Sequence, residues 1–208
     1  MPPPPLPLRS KPVSPAPGTQ PGAAPPAHTP QCYRFFFAIK PDEATAQRID
    51  AFAAHEVPDG RRLKLDHQHV TLALTGNFKA YPDALVARLL AAGGEVEADA
   101  FDLTLDRLSA NRRVVVLCPE HVHPPLYALQ RAIVAAMARH DVPLRAGYEF
   151  SPHQALCYRK GAPFQRPIAG FTWRADALVL VQSFVGLSRH EVIGRWPLRP
   201  SAPPVPAS

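Results

Sequence analysis

A six-residue stretch, His69-Val70-Thr71-Leu72-Ala73-Leu74, returns in part as His153-Gln154-Ala155-Leu156-Cys157-Tyr158. This repeat limits the folds open to the chain more than any other feature. β-Branched and aliphatic residues make the first copy a strand, with a turn signal at Thr75-Gly76-Asn77 directly after it. Side chains alternate faces along a strand, so His69 and Thr71 share one face, about 7 Å apart, while Val70 and Leu72 point the other way. An imidazole beside a hydroxyl suits a phosphate: the ring transfers a proton and the hydroxyl hydrogen-bonds a non-bridging oxygen. Two such strands predict two similar halves of one fold that bring two histidines together.

The remaining pattern fits an α+β domain of mostly antiparallel strands. Residues 33–39 form an aromatic, centrally placed strand. Pro41 opens a helix with Asp42 and Glu43 in its first turn, and Ile49, Phe52 and Ala53 give it an apolar stripe. After the turn Pro58-Asp59-Gly60, residues 61–65 lead by alternation into the His69 strand. A second helix over 81–92 is ended by Gly93-Gly94. Strands follow at 101–106 and 112–117, and Pro124-Pro125 opens a third helix from 126 to about 140. The second histidine strand spans 150–158. Two closing strands, 176–184 and 191–198, flank Gly186-Leu187-Ser188. Strand pairs close in sequence argue against a doubly wound parallel sheet. The chain has no GxGxxG and no phosphate-cradling P-loop.

Proline supplies 27 of the 208 residues, concentrated at the ends. Residues 1–31 and 200–208 are predicted to be disordered tails, because little apolar surface is available there to offset the entropy of ordering. That leaves 32–199 as one domain. The net charge of +6 leans toward an anionic partner such as RNA. Cys32, Cys118 and Cys157 suggest neither a disulfide framework nor a zinc knuckle, and fit a reducing compartment. No apolar run approaches the roughly 20 residues of a membrane helix. The expectation is a cytoplasmic monomer with no cofactor and no membrane partner.

Two imidazoles flanking a phosphodiester divide acid and base work, one deprotonating an attacking water and the other protonating the departing ribose oxygen. The chain resembles a family built on this chemistry, the two-histidine (2H) phosphoesterases, and within it the bacterial RNA 2′,3′-cyclic phosphodiesterases also called 2′-5′ RNA ligases. Their first motif, His-x-Thr-Leu-x-Phe-Leu-Gly, is similar to His69 through Gly76. Their second, Pro-His-x-Thr-Leu-x-Arg, is similar to Pro152 through Tyr158. The resemblance extends over about residues 33–199. It implies a bilobal, pseudo-twofold α+β fold of two mostly antiparallel sheets flanked by helices, with the histidines in a central cleft. It further implies metal-independent opening of RNA 2′,3′-cyclic phosphate ends, reversible as 2′-5′ ligation, with His69 and His153 as the acid–base pair and Thr71 on the phosphate.

The departures are specific. Ala155 stands where the second motif has Thr, Leu74 where the first has Phe, and Tyr158 where the second has Arg. Arg159, next in the chain, is a substitute phosphate ligand only if the strand aims it inward, and Tyr158 is a second candidate. Arg61, Arg62, Arg112 and Arg113 read either as a phosphate-tracking surface or as solvated strand ends. His67 with His69, and His121 with His123, have a zinc-like spacing but no matching set of ligands, so no metal is expected. Two rival functions remain open: a non-catalytic RNA- or nucleotide-binding module disabled at Ala155, and a phosphodiesterase for a different small cyclic phosphate.

Overall fold

The computed structural model describes residues 29–200. Most of the two predicted tails, residues 1–28 and 201–208, lies outside the described residues. The chain enters as β1 (Cys32–Ile39), followed by α1 (Glu43–Glu56), the short β2 (Arg61–Arg62), a 3₁₀ turn (Leu65–His67), β3 (Val70–Phe78) and α2 (Asp83–Gly94). The middle of the chain supplies β4 (Phe101–Ala110), β5 (Val114–Cys118), α3 (Pro124–Arg139), β6 (Gln154–Tyr158) and β7 (Phe164–Ala175). A hairpin of β8 (Ala177–Val185) and β9 (Arg189–Pro197) closes it.

The order across the sheet is β7-β4-β5-β6-β3-β1-β8-β9, with β2 pairing β6. All of these strand pairings are antiparallel. Two four-stranded halves meet at a seam where β3 and β6 share one residue pair, Val70 with Gln154. Outward from the seam one half runs β3, β1, β8, β9 and the other β6, β5, β4, β7. The helix between β1 and β3 is matched by the helix between β5 and β6. This is the pseudo-twofold α+β arrangement that the sequence repeat implied. The second half is continuous in the chain and nested between the two segments of the first.

Alternation within β1 sorts its aromatic run. Phe35, Phe37 and Ile39 join the core beneath the helices, with Ile49 of α1, Leu89 of α2 and Ile133 of α3. Phe36 and Ala38 face the other way and form a small second cluster with Val179 and Val181 of β8. Full burial of each such side chain is worth about 1.5–3 kcal/mol. Asp42 caps α1, its carboxylate accepting from both the backbone N–H and the hydroxyl of Thr45 at 2.8 Å. At the start of α3 the cap is His123, whose Nδ1 accepts from Leu126 N and whose Nε2 donates to the Asp102 carbonyl. This histidine is a structural cap rather than a solvated loop residue.

Three expectations need correction. Residues 61–65 are not one alternating strand: β2 ends at Arg62 and the chain coils into the 3₁₀ turn. The turn expected at Thr75-Gly76-Asn77 is a bulge inside β3, where the Thr75 hydroxyl donates to the Phe35 carbonyl and accepts from the Phe35 N–H. β7 is an addition that the pattern did not reveal. It is an edge strand, half of it exposed, carrying Pro167 and a positive-φ Gly170, and edges are where a strand tolerates both. Gly93, expected just beyond α2, lies within its last turn because the Trp196 ring lies there: a Cβ at Gly93 would sit 2.3 Å from that ring.

Candidate active site

The seam places the repeated strands side by side. Extending the Val70–Gln154 register by one residue sets Thr71 opposite His153 and Ala155 opposite His69. Each histidine stands one residue before its strand, His69 before β3 and His153 before β6, and both line the same cleft.

Each strand then carries a bulge at the same point. The pairing slips at Leu72 in β3 and at Leu156 in β6. Two consecutive residues point into the core, Leu72 and Ala73 in one half and Leu156 and Cys157 in the other. The residue five positions after each histidine returns to the cleft, as Leu74 and Tyr158. Simple alternation would have buried Tyr158 and aimed Arg159 inward. Instead the Arg159 guanidinium donates to the Ala162 carbonyl at 2.9 Å and lies over the Phe164 ring, outside the cleft lining.

Both imidazoles are oriented by the same device. His69 Nδ1 lies 2.7 Å from the carbonyl of His67, and His153 Nδ1 lies 2.7 Å from the carbonyl of Ser151. A carbonyl only accepts, so Nδ1 carries a proton in each ring and Nε2 is the nitrogen left to exchange one. The cleft is a cavity of about 590 Å³ that includes His69, Thr71, His153, Ala155 and Tyr158 in its wall. Arg34, Arg61, Arg62, Lys64 and Arg189 line it too, and its lining contains no carboxylate. Arg62 is held by Asp50 at 2.9 Å and Arg189 pairs with Glu191. Arg61 lies 5.0 Å over the Tyr158 ring. Both Arg61 and Arg62 are thus cleft residues, while Arg112 and Arg113 stand beyond it.

His190 enters the site without any signal in the sequence pattern. Its ring stacks on His67 at 4.1 Å and meets His69 edge-on at 5.8 Å, and Phe36 stacks on His69 at 4.7 Å. His67 is buried in the 3₁₀ turn and not on the histidine strand, so the expected His67–His69 strand face does not form. Among the described residues no three His, Cys, Asp or Glu side chains converge on a point that could hold a metal. No helix among them is long and apolar enough to cross a membrane.

Burial pushes His69 down to about 3 and His190 down to about 4, and lowers His67, with the Lys40 ammonium adding to each effect. The unfolded rings titrate near 6.5, so between about pH 6.5 and 3 the unfolded chain binds more protons. Stability is then fully present above pH 6.5 and falls as the pH drops through that window, by up to about 1.4 kcal/mol per pH unit for one ring. The melting temperature is expected to drop between pH 7.5 and 5, with a shallower drop in His190→Gln. Identical slopes in the two proteins would show that His190 is not held neutral.

The sequence model of the 2′-5′ RNA ligase superfamily matches residues 41–190, a span that contains both histidine strands and the seam between them. The chain belongs to that superfamily. Among solved structures, Escherichia coli LigT in complex with 3′-AMP is 27% identical with a TM-score of 0.67, covering 80% of this chain and 98% of its own. A structure described as a phosphoesterase is 26% identical, TM-score 0.65, over 82% and 99% of the two chains. The Thermus thermophilus protein TT0787, at 20% identity and TM-score 0.66 over 81% and 100%, shares the fold. No curated protein matches the chain. His69 and His153 line one cleft together with Leu74, Ala155 and Tyr158, the three positions at which the two sequence motifs depart from the pattern they resemble.

Proposed function

We propose that the protein is a cyclic phosphodiesterase that opens the 2′,3′-cyclic phosphate at an RNA end to a 2′-phosphomonoester. The observation that carries this reading is the matched pair of imidazoles, each with Nδ1 bonded to a backbone carbonyl and Nε2 left free. In the reaction a water oxygen bonds to phosphorus and the bond from phosphorus to the ribose 3′ oxygen breaks. One ring, unprotonated at Nε2, takes the proton from the water, and the other, which enters the step protonated at Nε2 as well as Nδ1, gives its Nε2 proton to the departing oxygen. Thr71 and the cleft cations hold the non-bridging oxygens, which develop charge as the water attacks. With a ribose 5′-hydroxyl in place of water, the same forward steps leave phosphorus bonded to the 2′ and 5′ oxygens, a 2′-5′ linkage. The 3′-AMP complex of LigT supports a nucleotide phosphate as the group recognised.

The test is a panel of 2′,3′-cyclic mononucleotides and RNA ends incubated with the purified full chain in the presence of chelator. Turnover to 2′-phosphates is expected. Turnover only after zinc is added would overturn the metal-independent mechanism. RNA binding without turnover of any substrate would instead identify a binding module.

A further inference from the structure

Tyr158 marks one end of the cleft, 47% exposed. Its strand neighbours are Arg61 on one side and Val114, the residue after Arg113, on the other. Beyond it the backbone N–H of Arg159 donates to the Arg113 carbonyl at 3.0 Å, which holds the β4–β5 loop against the β6–β7 turn. Arg112 and Lys160 then line the same surface depression of about 420 Å³. Arg112, Arg113 and Lys160 are all exposed, and among the described residues none has a carboxylate partner. The turn is shaped for this display. Arg159 folds back onto Ala162 and Phe164, into space that a Cβ at Gly161 would fill, since it would sit 1.8 Å from the guanidinium.

We propose that this strip, Tyr158 followed by Arg113, Arg112 and Lys160, is a track for single-stranded RNA leading into the catalytic cleft. That the polymer is RNA rests on the proposed function above. Tyr158, exposed at the cleft mouth with the Arg61 guanidinium over its ring, offers an aromatic and a cation for a base to stack on, and unpaired cations in sequence follow a phosphate backbone; together they are the signature of single-strand binding. A 2′,3′-cyclic phosphate terminates its strand, so polynucleotide leaves the site in one direction only and one track suffices. The opposite end of the cleft is unsuited to that role. There Arg189 is paired with Glu191, the Phe184 ring packs on Tyr33, and Arg34 donates to Asn77.

The experiment measures binding of a labelled oligoribonucleotide of about eight nucleotides, ending in a 3′-phosphate so that no turnover intervenes, over a range of salt concentrations. The Arg112→Ala/Arg113→Ala/Lys160→Ala variant of the full chain is expected to bind roughly tenfold or more weakly. Its slope of log affinity against log salt is expected to fall by about 2, near 0.7 for each lost phosphate contact. Tyr158→Ala is expected to weaken binding roughly 5- to 150-fold with little change in slope. In turnover, the triple variant should lose kcat/KM on an RNA end and keep it on a mononucleoside 2′,3′-cyclic phosphate. Unchanged affinity and slope in the triple variant would overturn the track, as would equal losses on the two substrates. Equally tight binding of duplex RNA would overturn its single-strand character. A wild-type protein that turns over neither substrate, yet binds RNA through the strip, removes the proposed reaction and leaves the track standing.

Discussion

Replacing either His69 or His153 with alanine is expected to lower turnover of a 2′,3′-cyclic phosphate by at least about a hundredfold, with the fold intact. In the proposed reaction each ring carries one of two proton transfers, and a positioned general acid or base contributes about 10²–10⁴-fold. The two losses should not multiply in the double variant, because a pair that acts as one unit fails once either member is gone. His153 is exposed, so its truncation leaves no cavity. His69 is packed between Phe36 and His190, so His69→Gln, closer in size, is the better control for packing. Near-normal turnover in any of these variants, with chelator present, would remove that histidine from the mechanism.

The second large effect concerns the hydroxyls. Thr71 and Ala155 occupy equivalent positions beside the seam, each lining the cleft and each two residues after a histidine, so of these two matched positions one offers the proposed phosphate a hydroxyl and the other does not. Thr71→Ala removes the remaining one. A lost hydrogen bond to a developing charge costs about 1–3 kcal/mol, which is roughly 5- to 150-fold in kcat if felt only in the transition state. The converse change, Ala155→Thr, sets a hydroxyl opposite His69 and is expected to raise turnover roughly 2- to 12-fold, for a net 0.5–1.5 kcal/mol. An increase in Ala155→Thr identifies a weakened enzyme. Unchanged turnover there would mean that another cleft group, with Tyr158 and its covering Arg61 the nearest candidates, already serves the phosphate.

The repeat and the helix stripes were legible because both are periodic. His69, Thr71, His153 and Ala155 share a face by simple alternation, and α1 to α3 were found because their apolar residues recur at helical spacing. Alternation failed at the bulges. A bulge has no signature in Leu72-Ala73 or Leu156-Cys157 beyond two adjacent apolar residues, yet it decides that Tyr158 and not Arg159 enters the cleft. His190 was invisible for another reason: it lies far from both motifs and reaches them only through the β1–β8 and β8–β9 pairings. The edge strand β7 was hidden in its first half, where Gln165, Arg166 and Pro167 break the pattern, although Phe171, Trp173 and Ala175 alternate into the core.

The nesting of one half inside the other sets the order in which the protein becomes active during synthesis. The second half, 101–175, is local in sequence and can pair its strands as it emerges from the ribosome. The first half must wait, because β1 acquires its neighbour β8 only after the whole insert has been made. Val181 and His190, which complete the floor and wall around His69, arrive with that last hairpin. Pairings this distant in sequence form late and slowly. A nascent chain ending before Ala177 therefore carries both histidines but no finished cleft, and the strand edge of β1 stays open until translation reaches β8.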